Sequence, residues 1–174
     1  MRKADDICKN SGSARAVEHT QSKLKICQET HPGCQLQVAR SGLPTRLLDI
    51  GNTTEDGQIL LVIVQMKGVQ APYVALSHCW GNQDEAVMPK TTSLNLETQE
   101  NGIVMECLPR TFRDAINLTR RLDMRYLWID SLCILQDDTV DWEKESSNGI
   151  DISECPACHI CSSGVKLQWW TVCF

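Results

Sequence analysis

Ser77, His78 and Cys79 set a hydroxyl, an imidazole and a thiol in consecutive positions, the ingredients of nucleophilic catalysis. Neighbours on a strand point to opposite faces, so adjacency alone does not make a nucleophile–base pair. No Gly-x-Ser-x-Gly elbow occurs, which disfavours a hydrolase of that type. Asp130 closes an apolar run, and an acidic residue there must be solvated, paired or hydrogen-bonded. It reads either as a charge facing a ligand cleft or as a cap on the turn at Ser131. Cys27-x3-His31-x2-Cys34 supplies three candidate zinc ligands, with Cys8 as a fourth, although the short Cys-x2–4-Cys knuckle is missing. Cys155-x2-Cys158-x2-Cys161 is nearer a metal motif, but a ferredoxin run needs a further cysteine where Val165 stands. His159 and Cys173 would complete a zinc set only through a loose loop. Neither Gly-x-Gly-x-x-Gly nor a phosphate-binding Gly-x-x-x-x-Gly-Lys-Ser/Thr is present, so ordinary nucleotide-loop chemistry has no support.

The elements that must position these groups follow from periodicity. Ala14 to Ile26 holds a short helix, and Arg46 to Ile50 a short strand. Ile59 to Val64 is the strongest β-branched run, and the two strands suit an antiparallel hairpin. Tyr73 to Ser77 reads as a buried strand running into a loop at His78. Thr91-Thr92-Ser93 starts a short helix. Leu108-Pro109 opens the clearest one, with Phe112, Ala115, Ile116, Thr119 and Leu122 on a single buried face. Thr111 and Asp114 resemble a capping box. Arg110, Arg113, Arg120 and Arg121 fall on its solvated side. Tyr126 to Asp130 is a strand, and Cys133 is a small core residue in the apolar run that follows. Strand, connection, helix and strand make a βαβ unit, hence an α/β sheet. Functional residues in such sheets collect at the carboxyl ends of strands, which aligns Ser77, His78, Trp80, Asp130 and Ser131 along one edge. His78 and Trp80 serve equally well in a loop packed back on that edge.

Composition narrows the classes. The chain has 174 residues and a formal charge of −5, so it carries no overall basic footprint for nucleic acid. Five of its nine aromatic residues are Trp, against a Phe/Tyr base-stacking sheet. No apolar run approaches the roughly 20 residues of a membrane span. The polar N-terminus lacks a secretory signal, so the ten cysteines read as reduced cytoplasmic thiols or metal ligands.

Three segments taken together carry a resemblance. They are Tyr73-Val-Ala-Leu-Ser-His-Cys-Trp-Gly81, Leu108-Pro-Arg-Thr-Phe-Arg-Asp-Ala-Ile116 and Tyr126-Leu-Trp-Ile-Asp-Ser-Leu-Cys-Ile134. The last continues into Gln136-Asp137-Asp138 and Asp141-Trp142-Glu143-Lys144-Glu145. Their order and spacing are similar to the fungal heterokaryon incompatibility (HET) domain. Leu43-Pro44-Thr45-Arg46-Leu47-Leu48-Asp49 resembles the lead-in found before many such domains. The resemblance implies a cytoplasmic module of fungal nonself recognition and incompatibility-triggered cell death, with other incompatibility proteins as partners. It also implies a partial TIR-like sheet. Some TIR domains hydrolyse NAD through a glutamate, which nominates Glu145, with Asp130, as catalytic candidates and NAD as a substrate. A first-turn glutamate favoured by the helix dipole is the structural alternative for Glu145.

The resulting organisation is an N-terminal lead-in over 1–42, a HET domain over 43–145 with core motifs at 73–145, and a tail over 146–174 outside the family pattern. The tail has no helical stripe and carries four of the ten cysteines. It reads as intron-derived or frame-shifted sequence on a truncated domain, which would leave a sheet edge uncovered.

Overall fold

The computed structural model describes residues 12–30, 44–53, 59–66, 71–77, 88–152, 159–160 and 169–173. Seven strands form one mixed sheet in the order β4-β2-β1-β5-β3-β7-β6. They are β1 (Arg46–Thr53), β2 (Ile59–Gln65), β3 (Tyr73–Ser77), β4 (Ile103–Val104), β5 (Tyr126–Ile129), β6 (His159–Ile160) and β7 (Trp169–Cys173). The helices are α1 (Ala14–Thr30), α2 (Leu96–Asn101), α3 (Arg110–Arg121), the single turn α4 (Asp130–Cys133) and α5 (Thr139–Ile152).

The expected hairpin is present: β1 and β2 pair antiparallel, with a register shift between Asp49 and Asn52. The βαβ unit is present as well. β3 and β5 are parallel neighbours, joined by the long connection that contains α3. This is the one parallel ladder among those described, so the sheet is mixed rather than doubly wound.

Strand periodicity divides the core in two. Leu48, Ile50, Leu61, Ile63, Val74, Leu76, Leu127 and Ile129 pack with Phe112, Ala115 and Ile116 of α3 and with Val17 and Leu24 of α1. Leu47, Met66, Tyr73 and Ala75 form a second cluster. Tyr73 to Leu76 are all buried, as a central strand covered on both faces requires.

The stripe expected for α3 is the one found: Phe112, Ala115, Ile116 and Thr119 are its buried residues, and the four arginines are exposed. The capping box is not formed. Pro109 occupies the N-cap without a side-chain cap, and Asp114 lies 3.7 Å from Arg110 one turn earlier. The helix begins at Arg110, so Thr111 lies inside its first turn and not at the N-cap position that the box requires.

Two features beyond Glu145 differ from expectation. α5 continues to Ile152 although the sequence there has no apolar stripe and includes Gly149, a poor helix former. Residues 169–173 pair antiparallel with β3, so the β3 edge carries a further strand.

At the amino end of β5, Arg125 grips the buried Asp49 carboxylate from β1 through Nε at 3.0 and 3.1 Å and Nη2 at 2.7 Å. Burial pushes the Asp49 pKa up. The Arg125 hydrogen bonds, the Gly51 N–H, the Arg125 charge and Asn52 outweigh it and hold the group below the usual aspartate value.

Gly102 ends α2 at φ 146°, with its N–H bonded to the Thr98 carbonyl at 3.2 Å. A Cβ there would also lie 2.6 Å from Leu60 Cδ1. Gly102→Ala should therefore destabilise the fold by about 1–3 kcal/mol, most of it backbone strain. Urea unfolding with an unchanged m-value measures it, and a loss under 0.5 kcal/mol would contradict the assignment.

Candidate functional site

The parallel register sets Leu76 beside Ile129, so the carboxyl ends of β3 and β5 lie together and Ser77 and Asp130 follow at the same edge. Asp130 opens α4 and its Oδ1 accepts the Ser131 N–H at 2.7 Å, the local turn contact anticipated for it. Its carbonyl accepts from the Ile134 N–H at 3.1 Å and from Gln136 Nε2 at 3.0 Å. Ser131 is buried, and its carbonyl accepts the Thr91 N–H at 2.9 Å. Its Oγ is buried and has no hydrogen-bond partner among the described residues. Ser77 is defined here through its backbone, and His78 and Trp80 lie outside the described residues.

Thr91, which sequence reasoning assigned only to a helix start, fastens the segment before α2 to this edge. It is fully buried and donates from Oγ1 to the Leu132 carbonyl at 2.6 Å, while its own carbonyl accepts the Gln136 N–H at 2.9 Å. Cys133 is the core residue expected. Burial pushes its thiol up to about 12, partly opposed by the Ile129 N–H and by the charge of Arg46.

Four carboxylates after Ile134, those of Asp137, Asp138, Asp141 and Glu145, hold backbone. Asp137 accepts from the Ser93 N–H at 2.9 and 3.1 Å and from Ser93 Oγ at 2.5 Å, which lowers its pKa. Asp138 Oδ1 accepts from the N–H groups of Val140 and Asp141 at 2.9 and 3.1 Å, the geometry of an N-cap on α5. Asp141 Oδ2 accepts from the Leu135 N–H at 2.9 Å and from Arg46 Nη2. Arg46 Nε donates to the Cys133 carbonyl at 2.9 Å.

Glu145 completes the set. It is 1% exposed, so it is neither a solvated first-turn residue nor open to a ligand. Both its oxygens accept the Thr45 N–H, at 3.0 and 3.2 Å, and Oε1 also accepts from Thr45 Oγ1. Lys144 Nζ donates to the same hydroxyl at 2.8 Å. Asp141 and Glu145, four residues apart on one face of α5, thus clamp Thr45 and Arg46 at the start of β1. Asp130 has different described partners, in α4 and the loop after it.

In sequence Arg46 opens the first strand and Thr45 belongs to the lead-in, and neither position points to its partner. Their partners lie 95 and 100 residues away, beyond any local spacing rule.

Two open clefts accompany these groups. One of about 390 Å³ lies at the amino end of β5, lined by Ile50, Gly51, Arg120, Asp123, Met124 and Arg125. Another of about 180 Å³ lies beside Trp142 and Asp138 at the start of α5. Neither includes Asp130 or Ser131. Cys27 falls in α1, while His31 and Cys34 lie outside the described residues. Among the described residues no three His, Cys, Asp or Glu side chains gather as a metal set. No described helix is long and apolar enough to cross a membrane.

Breaking a buried ion pair strands its partner charge. Arg46→Met should therefore cost about 3–5 kcal/mol. Removing the exposed Arg110–Asp114 contact with Arg110→Ala should cost less than ~1 kcal/mol. Chemical denaturation of the two variants tests the contrast, and equal losses would deny the clamp its role. Under native conditions at neutral pH, N-ethylmaleimide should label the exposed Cys107 and spare Cys133. Peptide mass spectrometry reads this, and native labelling of Cys133 would contradict its burial.

The model of the heterokaryon incompatibility protein (HET) family matches residues 73–167, just over half of the chain. The match begins at the first strand motif and takes in α3, the β3–β5 edge and the clamped acidic segment. No curated protein and no solved structure matches the chain. With the three motifs, the βαβ unit that carries them and this match in agreement, the chain belongs to the heterokaryon incompatibility (HET) family.

Proposed function

We propose that this protein is a signalling module of fungal nonself recognition, acting in the cytoplasm with other incompatibility proteins to trigger cell death. The observation that carries this reading is the family match over residues 73–167. The geometry of the acidic motif favours a binding module over a glutamate-dependent hydrolase. A catalytic carboxylate needs access to substrate, whereas Glu145 is buried with both oxygens committed to Thr45.

A TIR-like NAD hydrolysis would instead rest on the β3–β5 edge, where Asp130 is half-buried next to Ser131, whose buried hydroxyl has no hydrogen-bond partner among the described residues. An acidic group at the carboxyl end of parallel strands is the position at which such a site is built. This second reading assigns Asp130 to substrate and Glu145 to the fold.

Inducible expression in a filamentous fungus separates the two. Incompatibility signalling predicts growth arrest and cell death from the wild-type chain, and equal death from Asp130→Asn with no NAD consumed by the purified protein. NAD cleavage lost in Asp130→Asn supports the enzyme reading instead. Normal growth at full expression of folded protein would overturn both.

A further inference from the structure

α1 and α3 present inner stripes of the same spacing and different chemistry. In α3 the residues at i, i+3, i+4 and i+7 are Phe112, Ala115, Ile116 and Thr119, and all four are buried. In α1 they are Val17, Thr20, Gln21 and Leu24, of which only Val17 and Leu24 are buried. Thr20 turns its hydroxyl back onto the Ala16 carbonyl at 2.9 Å.

Gln21 reaches outward, and its Nε2 donates to the Arg121 carbonyl at 2.9 Å. Arg121 Nη1 in turn donates to the Gly12 carbonyl at 2.5 Å. Both bonds are exposed and both gather at the last turn of α3, so water replaces them readily when they open. The helix also carries its own start signal, since Ser13 Oγ accepts the Ala16 N–H at 3.2 Å. It lies upstream of the residues matched by the family. β1, β5 and β3, by contrast, are stitched by ladders and by the Arg46 clamp.

We propose that α1 is a releasable strap. It leaves the core as a unit while β1, β2, β3, β5 and α3 stay folded, and its departure bares the apolar surface that Val17 and Leu24 cover. Elements with few buried contacts and exposed hydrogen bonds open sub-globally, below the free energy of global unfolding. The last turn of α3, through the Arg121 side chain and carbonyl, is the latch.

Native-state hydrogen exchange on the full chain, followed by mass spectrometry through sub-denaturing urea, tests the strap. Amides of α1 should open at lower free energy than those of α3 and β5, and with a shallower urea dependence. Val17→Ser combined with Leu24→Ser should speed α1 exchange about 100-fold and leave α3 and β5 protected. Opening of α1 with the same energy and urea slope as α3 and β5 would overturn the proposal. So would loss of α3 and β5 protection in the double variant. If that variant fails to accumulate, the wild-type profile decides alone.

Discussion

A buried guanidinium organises this molecule. Arg46 is withdrawn from water at the first position of β1, and a charge in that position is tolerated only if its donors are met. They are met by the Cys133 carbonyl at the end of α4 and by Asp141 in the first turn of α5. Asp141 also holds the Leu135 amide, and Glu145 one turn later holds Thr45. The start of β1 is thereby locked to the stretch from the end of α4 to α5, about 90 to 100 residues away in sequence. The strand order explains why this matters: β1 lies between β2 and β5, so a strand upstream of the family match occupies the middle of the sheet on which the matched motifs sit. The lead-in and the matched region are one structural unit.

That arrangement changes the meaning of the acidic motif. A run of carboxylates suggests charge aimed at a ligand. Here Asp137, Asp138, Asp141 and Glu145 satisfy backbone N–H groups at a loop, a helix N-terminus, an irregular segment and a strand start. Such groups are costly to leave unpaired, and a carboxylate accepts two or more of them at once. The edge at the carboxyl ends of β3 and β5 is held by Thr91 and Gln136, which also bond to each other through the Gln136 N–H and the Thr91 carbonyl.

Much of the frame was legible. The α3 stripe, the β1–β2 hairpin, the parallel pairing of β3 with β5 and the burial of Cys133 all follow from periodicity and from the length of the connection. The alignment of Ser77 with Asp130 followed as a consequence of that pairing. The capping box failed because the helix begins at Arg110, with Pro109 at the N-cap, which puts Thr111 inside the first turn. The extension of α5 past Glu145 has no apolar stripe to announce it, whereas Trp169-Trp170-Thr171-Val172 carries the aromatic and β-branched residues of a strand, and its pairing with β3 is a long-range contact.

The division between the two sources is physical. Sequence by itself determined the β1–β2 hairpin, the βαβ unit with the buried face of α3, and the family resemblance, because strand and helix periods act between near neighbours and the motifs are read in chain order. Tertiary structure alone decided the partner of each carboxylate. Whether Glu145 faces a substrate or Thr45 depends on which strand α5 meets, and that meeting joins residues 100 positions apart. The same reasoning separates α1 from α3. In sequence α3 carries the apolar stripe while residues 1–30 are polar and weakly periodic, and the packed structure adds that α1 meets the core through Val17 and Leu24.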